Sequence, residues 1–335
     1  MSLDIRENVS EAAPGVYRIL VPLPGNPLRS LNAYLVRGNA RRGDRNLLID
    51  TGFNRPECET ALRRALRELN AEPGDTDVFI THLHSDHCGL MKKMGAEGGR
   101  VYCSKADGDL INYAVTQAYW EELDQLYARY GYPSREKTSM ENHPGWEYNI
   151  HERVDFVPVD EGCTIECGGY AFRAVWTPGH TPGHMCLYDK DKRILFCADH
   201  VLDDITPNIT IEVGMEDPLR LYLDSLRKVE TLEVDTALTG HRRPPESFKG
   251  RIAELRAHHA ARLEELIGIL GGEAMHAYDA ASKMHWDITF EGWEDFPASQ
   301  KWFATGEAIA HLQYLYGEGR INRFESGGVY FYTRD

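Results

Sequence analysis

Long apolar stretches are missing from this sequence. No apolar run approaches the roughly 20 residues that a helix needs to cross a bilayer. The start, MSLDIRENVSEAAPGVY, lacks the basic region and apolar stretch of a secretory signal. Repeats of solenoid period and low-complexity tracts are also missing. We therefore expect a cytoplasmic protein that does not span a membrane.

Paired cysteine motifs are missing as well. The seven cysteines are scattered and odd in number, and no two of them form a CxxC pair. A disulfide framework is therefore not expected, and reduced thiols are the simpler interpretation. Cys88 lies beside the candidate metal site described below. We favour a small buried thiol there over an oxidation-sensitive group.

Positive charge is scarce relative to negative charge. The 335 residues include 37 Lys and Arg against 52 Asp and Glu, a formal net charge of −15. The basic clusters are short, such as Arg41–Arg42 and Arg242–Arg243. Such a chain is repelled by phosphate backbones and anionic membranes. A small-molecule substrate is therefore expected, and nucleic acid and membranes are not.

Strands and helices alternate over the first 250 residues, which predicts an α/β fold. Helical spacing of apolar residues covers Glu57–Leu69 and Leu219–Leu232. Short apolar strands are predicted at Val16–Val21, Asn32–Val36, Asn46–Ile49, Val78–Ile80, Phe172–Trp176, Ile194–Ala198 and Thr236–Leu238. Residues 105–150 are rich in Tyr and Trp and predict a helical insertion. Packing on the core and capping of an active site both remain open for it.

The pattern changes after residue 250. Helices are predicted at Arg251–Leu270, which Gly271-Gly272 ends, at Ala277–Trp286 and at Gln300–Tyr316. The alternating tail Ile321–Tyr332 predicts a hairpin around Gly327-Gly328. We therefore expect a main domain over residues 1–250 and a small winged-helix domain over 251–335.

The segment from Thr81 to Gly89 carries the clearest chemistry, because it contains His82-Leu83-His84-Ser85-Asp86-His87. Imidazole and carboxylate are ligands for zinc, iron or manganese. At an extended strand end His82 and His84 point the same way and can hold one ion. Asp86 and His87, in the next turn, can reach a second ion. Burying this cluster without a metal would be costly.

Further ligand types follow other predicted strands. His180 comes after Phe172–Trp176, Asp199 after Ile194–Ala198 and His241 after Thr236–Leu238, and Asp50 closes Leu47-Leu48-Ile49. Groups at the same ends of neighbouring strands meet at one rim of a sheet. The sequence therefore predicts one shared site rather than several separate ones.

These five pieces, in this order over about residues 15–245, resemble the metallo-β-lactamase superfamily. The resemblance implies an αββα sandwich, with Asp199 as a bridge between two metals and Asp50 orienting a ligand histidine. It implies His82, His84 and His180 on metal one, and Asp86, His87 and His241 on metal two. The family ligand is the first His of Gly-His-Thr-Pro-Gly, so His184 is expected to be a structural neighbour.

Two details complete the comparison with the family. Arg242 follows His241 where the family more often has Gly, and it can alter the rim or bring a cation towards an anionic substrate. The region after residue 250 resembles the winged-helix tail of lactamase-like hydrolases. The matching pieces are Arg262-Leu263, Ala280–Trp286 and Phe303–Leu312.

The expected function is that of a binuclear hydrolase. Two divalent ions, zinc first and iron or manganese as alternatives, would share a hydroxide that attacks the carbonyl of an ester, thioester or lactone. Asp86 would help to orient this nucleophile. A bridging Asp199 resembles glyoxalase II-type thioesterases, lactonases and phosphodiesterases more than true zinc β-lactamases.

Two other functions stay open. One is a phosphodiesterase or ribonuclease of the same fold, against which stand the net charge and two acidic residues, Glu307 and Glu318, on the expected recognition helix. The other is a non-catalytic regulatory or binding module. The tail, with Trp286, Trp293 and Trp302, can equally pack on the main domain or form a homodimer.

Overall fold

The computed structural model describes residues 8–39, 43–95, 98–287 and 290–334. The predicted basic pair Arg41–Arg42 lies outside these residues. Within them no helix combines the length and the apolar character that crossing a membrane requires. All seven cysteines lie within them and are unpaired, as expected.

The first sheet has seven strands in chain order, β1 to β7. Neighbours from β1 to β4 are antiparallel, and those from β4 to β7 are parallel. The strands are β1 Val9–Ala13, β2 Val16–Pro22, β3 Ser30–Val36, β4 Asn46–Ile49, β5 Thr76–Phe79, β6 Val101–Ser104 and β7 Phe156–Val159. Helices join the parallel strands: α1 Pro56–Glu68, α2 Ser85–Cys88, α3 Met91–Gly95, α4 Lys105–Ala114, α5 Gln117–Ala128 and α6 Pro144–Glu147.

The second sheet has five strands in the order β12-β11-β10-β9-β8. They are β8 Thr164–Cys167, β9 Tyr170–Trp176, β10 Met185–Asp189, β11 Ile194–Ala198 and β12 Thr236–Thr239, with helix α7 at Pro218–Glu230 before β12. Strand β10 is antiparallel to both β9 and β11, and β12 is parallel to β11. The carboxyl ends of β9, β11 and β12 therefore lie at the same edge.

Three apolar layers hold the two sheets and their helices together. Side chains from both sheets, such as Tyr34, Phe172 and Phe196, form the central layer. A second cluster joins the first sheet to α1, α3 and α4, and a third joins the second sheet to α7 and the later helices. This is the αββα sandwich that the sequence predicted.

The aromatic insertion at 105–150 is helical over much of its length, as predicted. Four of its tyrosines are buried in the same cluster as the C-terminal helices: Tyr119, Tyr127, Tyr130 and Tyr132. Tyr127 stacks on Trp302 with ring centroids 4.6 Å apart. The insertion also reaches the segment of the metal motif, because the Ser85 hydroxyl donates to the Pro144 carbonyl at 3.5 Å. Packing on the core is thus shown for the insertion, and its end lies beside the candidate site.

The C-terminal region consists of α8 Phe248–Ile269, α9 Ala277–Lys283, α10 Ala298–Gly317 and the hairpin of β13 Asn322–Ser326 with β14 Val329–Thr333. Helix α8 begins before residue 250, so the domain division at that residue stays a prediction, as does the winged-helix description. Glu307 pairs with Arg262 at 3.2 Å inside the helix cluster rather than marking an open recognition surface.

Helix α9 is shorter than predicted, because Met284 is extended and Trp286 lies outside the helix. The Trp286 indole N–H donates to the Ala281 carbonyl at 2.8 Å, and Arg262 donates to the His285 carbonyl at 2.6 Å. These contacts satisfy carbonyls that a continuing helix would have bonded. A prediction based on apolar spacing could not include them.

Candidate metal centre

The first group of ligand-type atoms belongs to His82, His84 and His180. One ring nitrogen of each lies within 4.8 Å of the others. After β5, His82 lies in a bend rather than in the extended strand that we expected, and His84 is extended. Nε2 of His82 and Nδ1 of His84 are 3.1 Å apart. His180 arrives from the end of β9 in the other sheet. The two sheets therefore each contribute to this group.

The second group consists of Asp86, His87 and His241, again with ligand-type atoms within 4.8 Å. Asp86 and His87 lie on the one-turn helix α2, and His241 follows β12. His241 Nε2 is 3.2 Å from Asp86 Oδ2 and 3.3 Å from His87 Nε2. The short helix places Asp86 and His87 in a group of their own with His241, although His82, His87 and Asp199 also lie within 4.8 Å of one another.

Asp199 lies between the two groups. Its Oδ2 is 3.7 Å from His180 Nε2 and 3.5 Å from His241 Nε2, and its Oδ1 is 3.5 Å from His87 Nε2. Gly240 makes this approach possible, since a Cβ there would lie 2.3 Å from Asp199 Oδ1. One carboxylate is thus within reach of both groups.

Hydrogen bonds to the far ring nitrogens orient four of the histidines. His180 Nδ1 donates to the Asn208 carbonyl at 2.8 Å and His241 Nδ1 to the Ser30 carbonyl at 2.9 Å. His87 Nδ1 lies 2.7 Å from Asp50 Oδ2, and His82 Nδ1 lies 3.0 Å from Thr81 Oγ1. A carbonyl only accepts, so His180 and His241 carry their proton on Nδ1 and leave Nε2 facing the centre.

The two groups differ in their electrostatics. Burial and the neighbouring histidines hold the pKa of His82 well below its usual value, and burial together with His180 lowers the pKa of His84 to about 3. Burial opposes protonation of His241 too, but Asp199 and Asp86 outweigh it and raise the pKa of His241 to about 10. Carboxylates thus concentrate negative charge around the second group.

The donor set fits divalent cations. His180 Nε2 and Asp199 Oδ1 are buried side-chain atoms without a hydrogen-bond partner among the described residues. Leaving such atoms unpaired is costly, and a cation between them would satisfy both. Zinc, iron or manganese would bind neutral imidazoles and ionised carboxylates, so binding would release the additional proton that Asp199 and Asp86 favour on His241.

Nearby histidines and Cys88 take other places. His184 Nδ1 is hydrogen-bonded to the Thr177 hydroxyl, 2.8 Å away, and His184 belongs to neither group. His200 is also buried beside the site and outside both groups. The Cys88 thiol donates to the Leu83 carbonyl at 3.1 Å, and burial raises its pKa well above its usual value. It is a buried thiol whose ionisation is disfavoured.

Arg242 does not extend into the group of ligand atoms. Its backbone has a φ of +61°, the left-handed conformation that glycine adopts at lower cost, which accounts for glycine being commoner there in the family. Its guanidinium donates to the Pro27 carbonyl at 3.4 Å. Arg242 therefore shapes the rim of the site on the side of the loop before β3.

Asp107 is the residue near the site that the sequence analysis missed. It is fully buried and accepts three hydrogen bonds, from Leu83 N–H at 2.9 Å, Thr181 Oγ1 at 2.6 Å and Gly183 N–H at 2.6 Å. It therefore ties the segment of His82 and His84 to the loop of His180. In the sequence, Asp107 only suggests a helix-capping residue three positions after Ser104.

The site is partly open on one side. His84 and Asp86 are the two candidate ligands that are not fully buried, and they flank Ser85. The Ser85 hydroxyl faces the carbonyl of Pro144 at the start of α6. The end of the aromatic insertion therefore lies next to the two partly exposed ligand candidates.

Comparison with protein-family models identifies both parts of the chain. Residues 27–241 match the metallo-beta-lactamase superfamily, and residues 263–335 match the metallo-beta-lactamase-like C-terminal domain. The chain therefore belongs to the metallo-beta-lactamase superfamily. The superfamily typically binds divalent metals, in agreement with the clustered His and Asp side chains.

Similar proteins include the probable metallo-hydrolase YqjP of Bacillus subtilis, 25% identical over 95% of this chain and 98% of that protein. The atrochrysone carboxyl ACP thioesterase of Emericella nidulans is 26% identical over 67% of this chain, which spans only 54% of that protein. The crystal structure of a metallo-beta-lactamase family protein from Thermus thermophilus has a TM-score of 0.82 and 29% identity, covering 97% of this chain and all of that one.

Proposed function

We propose that this protein is a binuclear metal-dependent hydrolase that acts on the carbonyl of an ester, thioester or lactone. The position of Asp199 carries the proposal. Its carboxylate lies within 3.7 Å of histidine nitrogens from both ligand groups. A single three-ligand site would not need a carboxylate placed between two sets of ligand atoms.

The proposed ligands for metal one are His82, His84 and His180, with Asp199 as the shared ligand. Those for metal two are Asp86, His87 and His241. Zinc is the first choice and iron or manganese the alternatives, because imidazole and carboxylate suit all three. When bound, such ions supply Lewis-acid chemistry, polarising a carbonyl and lowering the pKa of water.

Asp86 is proposed to orient the water that attacks the substrate. Its side chain is 13% exposed, so it contacts the open side of the site. Burial raises the pKa of Asp86, but His87 and His241 outweigh this and lower it to about 2. A carboxylate that stays ionised accepts a hydrogen bond from water without retaining its proton, which suits positioning better than general-base catalysis.

The choice of a carbonyl substrate rests on similarity and on charge. Four of the similar proteins are named as thioesterases, and three of these are atrochrysone carboxyl ACP thioesterases. The phosphodiesterase alternative requires a polyanionic substrate to approach a chain with a net charge of −15. We therefore expect a small uncharged acyl group rather than a phosphodiester.

Metal analysis combined with a substrate panel tests this proposal. The purified protein is assayed for bound metal by mass spectrometry and then with acyl thioesters, lactones, bis(p-nitrophenyl) phosphate and RNA. We expect about two divalent ions per chain and hydrolysis of a thioester or lactone that a chelator abolishes and added metal restores. The isosteric variant Asp199→Asn should lose activity and one metal ion, whereas Asp191→Asn on the exposed β10–β11 turn should lose neither. Full activity without metal would refute the proposal.

The remaining predictions concern the whole molecule. A homodimer and a cytoplasmic location are still predictions, as are the division near residue 250 and the winged-helix character of the C-terminal part. Size-exclusion chromatography with light scattering decides between a monomer and a dimer.

A further inference from the structure

A cavity of about 320 Å³ lies between the insertion and the C-terminal helix α10. Three aromatic side chains from different segments wall it: Trp120 on α5, His143 just before α6, and Trp302 on α10. The ring centroid of His143 is 4.8 Å from that of Trp120 and 5.0 Å from that of Trp302. Tyr127 adds a fourth ring, stacked on Trp302. A cavity of this size and lining can hold a small organic group.

Two walls of this cavity continue into segments that carry candidate ligands. His143 immediately precedes Pro144, whose carbonyl accepts the Ser85 hydroxyl between His84 and Asp86. On the other side, the Tyr127 hydroxyl lies 2.9 Å from Thr210 Oγ1. Two residues earlier in the same loop, the Asn208 carbonyl accepts the His180 ring proton. Two walls of the cavity are therefore hydrogen-bonded to loops that carry or hold candidate ligands.

The rim of the cavity is mainly negatively charged, which affects the kind of group that can bind there. Glu121, Asp124 and Glu141 line it together with one basic residue, Lys137, which is already paired with Asp124 at 3.1 Å. The unbalanced carboxylates disfavour an anionic group. The aromatic walls favour a flat ring, because offset stacking and edge contacts add to the gain from burial.

We propose that this aromatic cavity is the acyl-group subsite of the enzyme and that it selects uncharged, planar aromatic acyl groups. The inference rests on the proposed hydrolase function and deepens it by naming the substrate class. It also gives the C-terminal region a part in specificity, since Trp302 belongs to α10.

Kinetics with matched thioesters test the subsite. The metal-loaded enzyme is assayed with 2-naphthoyl, hexanoyl, acetyl and 6-carboxy-2-naphthoyl thioesters of N-acetylcysteamine. We expect the 2-naphthoyl thioester to have the highest kcat/KM and the carboxylated ring to be disfavoured. In Trp302→Leu, KM for the 2-naphthoyl thioester should rise about tenfold, while kcat/KM for the acetyl thioester stays within about twofold. Trp286→Leu, whose ring packs against Arg262 outside the cavity, should change neither.

The rim charge is tested separately with Glu121→Gln/Glu141→Gln, two exposed positions where folding is not at risk. This variant should reduce the ratio of kcat/KM for the 2-naphthoyl thioester to kcat/KM for the 6-carboxy-2-naphthoyl thioester. The control Glu166→Gln, on the edge strand β8, should leave this ratio unchanged. Equal effects of Trp302→Leu on acetyl and naphthoyl substrates, or no effect on either, would overturn the subsite.

A binding measurement separates the failure of the subsite from the failure of the hydrolase proposal. The thioether analogue of the 2-naphthoyl substrate, which cannot be hydrolysed, is titrated by calorimetry into the wild type and Trp302→Leu. If no thioester is hydrolysed, the proposed function fails. Binding of the analogue that Trp302→Leu weakens would still support the cavity as an aromatic site, and equal or absent binding to both proteins would refute it.

Discussion

The Oδ2 atom of Asp50 lies 2.7 Å from His87 Nδ1 and 2.8 Å from the hydroxyl of Thr81. Because the Thr81 proton is directed at Asp50, the Thr81 oxygen accepts from His82 Nδ1, 3.0 Å away. One carboxylate therefore orients a histidine of each ligand group. Asp50 itself has a φ of +60°, a conformation that costs a non-glycine residue energy and that the surrounding contacts maintain.

Replacing Asp50 with Asn should weaken the binding of both metals. Asp50 Oδ1 accepts from the Thr81 N–H at 2.9 Å and Oδ2 accepts from His87 and the Thr81 hydroxyl, so the NH2 of a carboxamide would oppose one of these sets of donors. Loss of such a partner typically costs about 10- to 100-fold in metal affinity. Competition with a chromogenic chelator measures the two affinities. Asp191→Asn, an exposed turn residue, is the control. If metal affinity fell only at the group that contains His87, Thr81 would not transmit the effect to His82.

Asp107→Asn should lower the free energy of unfolding and should reduce the metal affinity of one ligand group more than that of the other. The carboxylate accepts three hydrogen bonds in a buried site, and an amide would oppose at least one of these donors with its own NH2. We expect a loss of about 2–3 kcal/mol in the free energy of unfolding. The affinity of the His82, His84 and His180 group should fall, since Asp107 joins its two segments.

Urea titration measures the free energy of unfolding. The number of metal ions that the protein retains at a limiting chelator concentration measures the metal affinity. Asp109→Asn, exposed on the same helix, serves as the control and should leave both quantities unchanged. A destabilised variant that retained both metals with unchanged affinity would restrict Asp107 to a role in folding.

The sequence predicted that the candidate ligands lie together, because each group of them follows a short apolar strand. Asp199 after β11 and His241 after β12 illustrate this, since sheet geometry alone brings such positions to one edge. Asp107 could not be found in that way. Its partners lie 24 and 74–76 residues away, and its local pattern is that of a helix cap. Contacts between distant loops leave no periodic trace in the sequence.

The missed strands have equally physical causes. Strand β10 is as fully buried as β11, but its residues Met185–Asp189 form neither an alternating pattern nor an unbroken apolar run, since they end in Tyr-Asp. Strand β8 lies at the edge of its sheet and exposes Thr164 and Glu166, which are also common residues in a loop. By contrast, β4 and β11, whose bounds were predicted correctly, are short apolar runs next to turn residues.

Stability should fall as the pH falls because of buried His311. Burial lowers its pKa to about 4. Between pH 6.5 and 4 the unfolded chain takes up a proton that folded His311 does not, so stability is complete above about pH 6.5 and is lost as the pH falls. Over the full interval this histidine accounts for about 3 kcal/mol.

Urea titrations of metal-free protein from pH 7 to 4.5 measure this dependence. His311→Gln removes the titrating group, so its unfolding free energy should vary less with pH than that of the wild type, even if it is lower at pH 7. His151→Gln, at an exposed position, should retain the wild-type dependence. Parallel curves for wild type and His311→Gln would contradict the prediction.

Gly306 on α10 connects the C-terminal region to the metal centre through the loop of Asn208. A Cβ at residue 306 would lie 1.8 Å from Thr210 Oγ1 and 2.5 Å from the Tyr127 hydroxyl. Gly306→Ala should therefore displace this loop, which holds His180 through Asn208, at a cost of about 1–3 kcal/mol. The affinity of the His180 group for metal should fall with it.

Gly268 provides the matched control, because it lies in α8, is exposed, and has no atom within 4 Å of an added Cβ. Gly268→Ala should stabilise the protein by about 0.5–1 kcal/mol, the usual gain from replacing glycine in a helix. Thermal unfolding and chelator competition on both variants compare the two changes. If Gly306→Ala also stabilised the protein and left metal affinity unchanged, the loop would tolerate the added methyl group, and α10 would have no influence on His180.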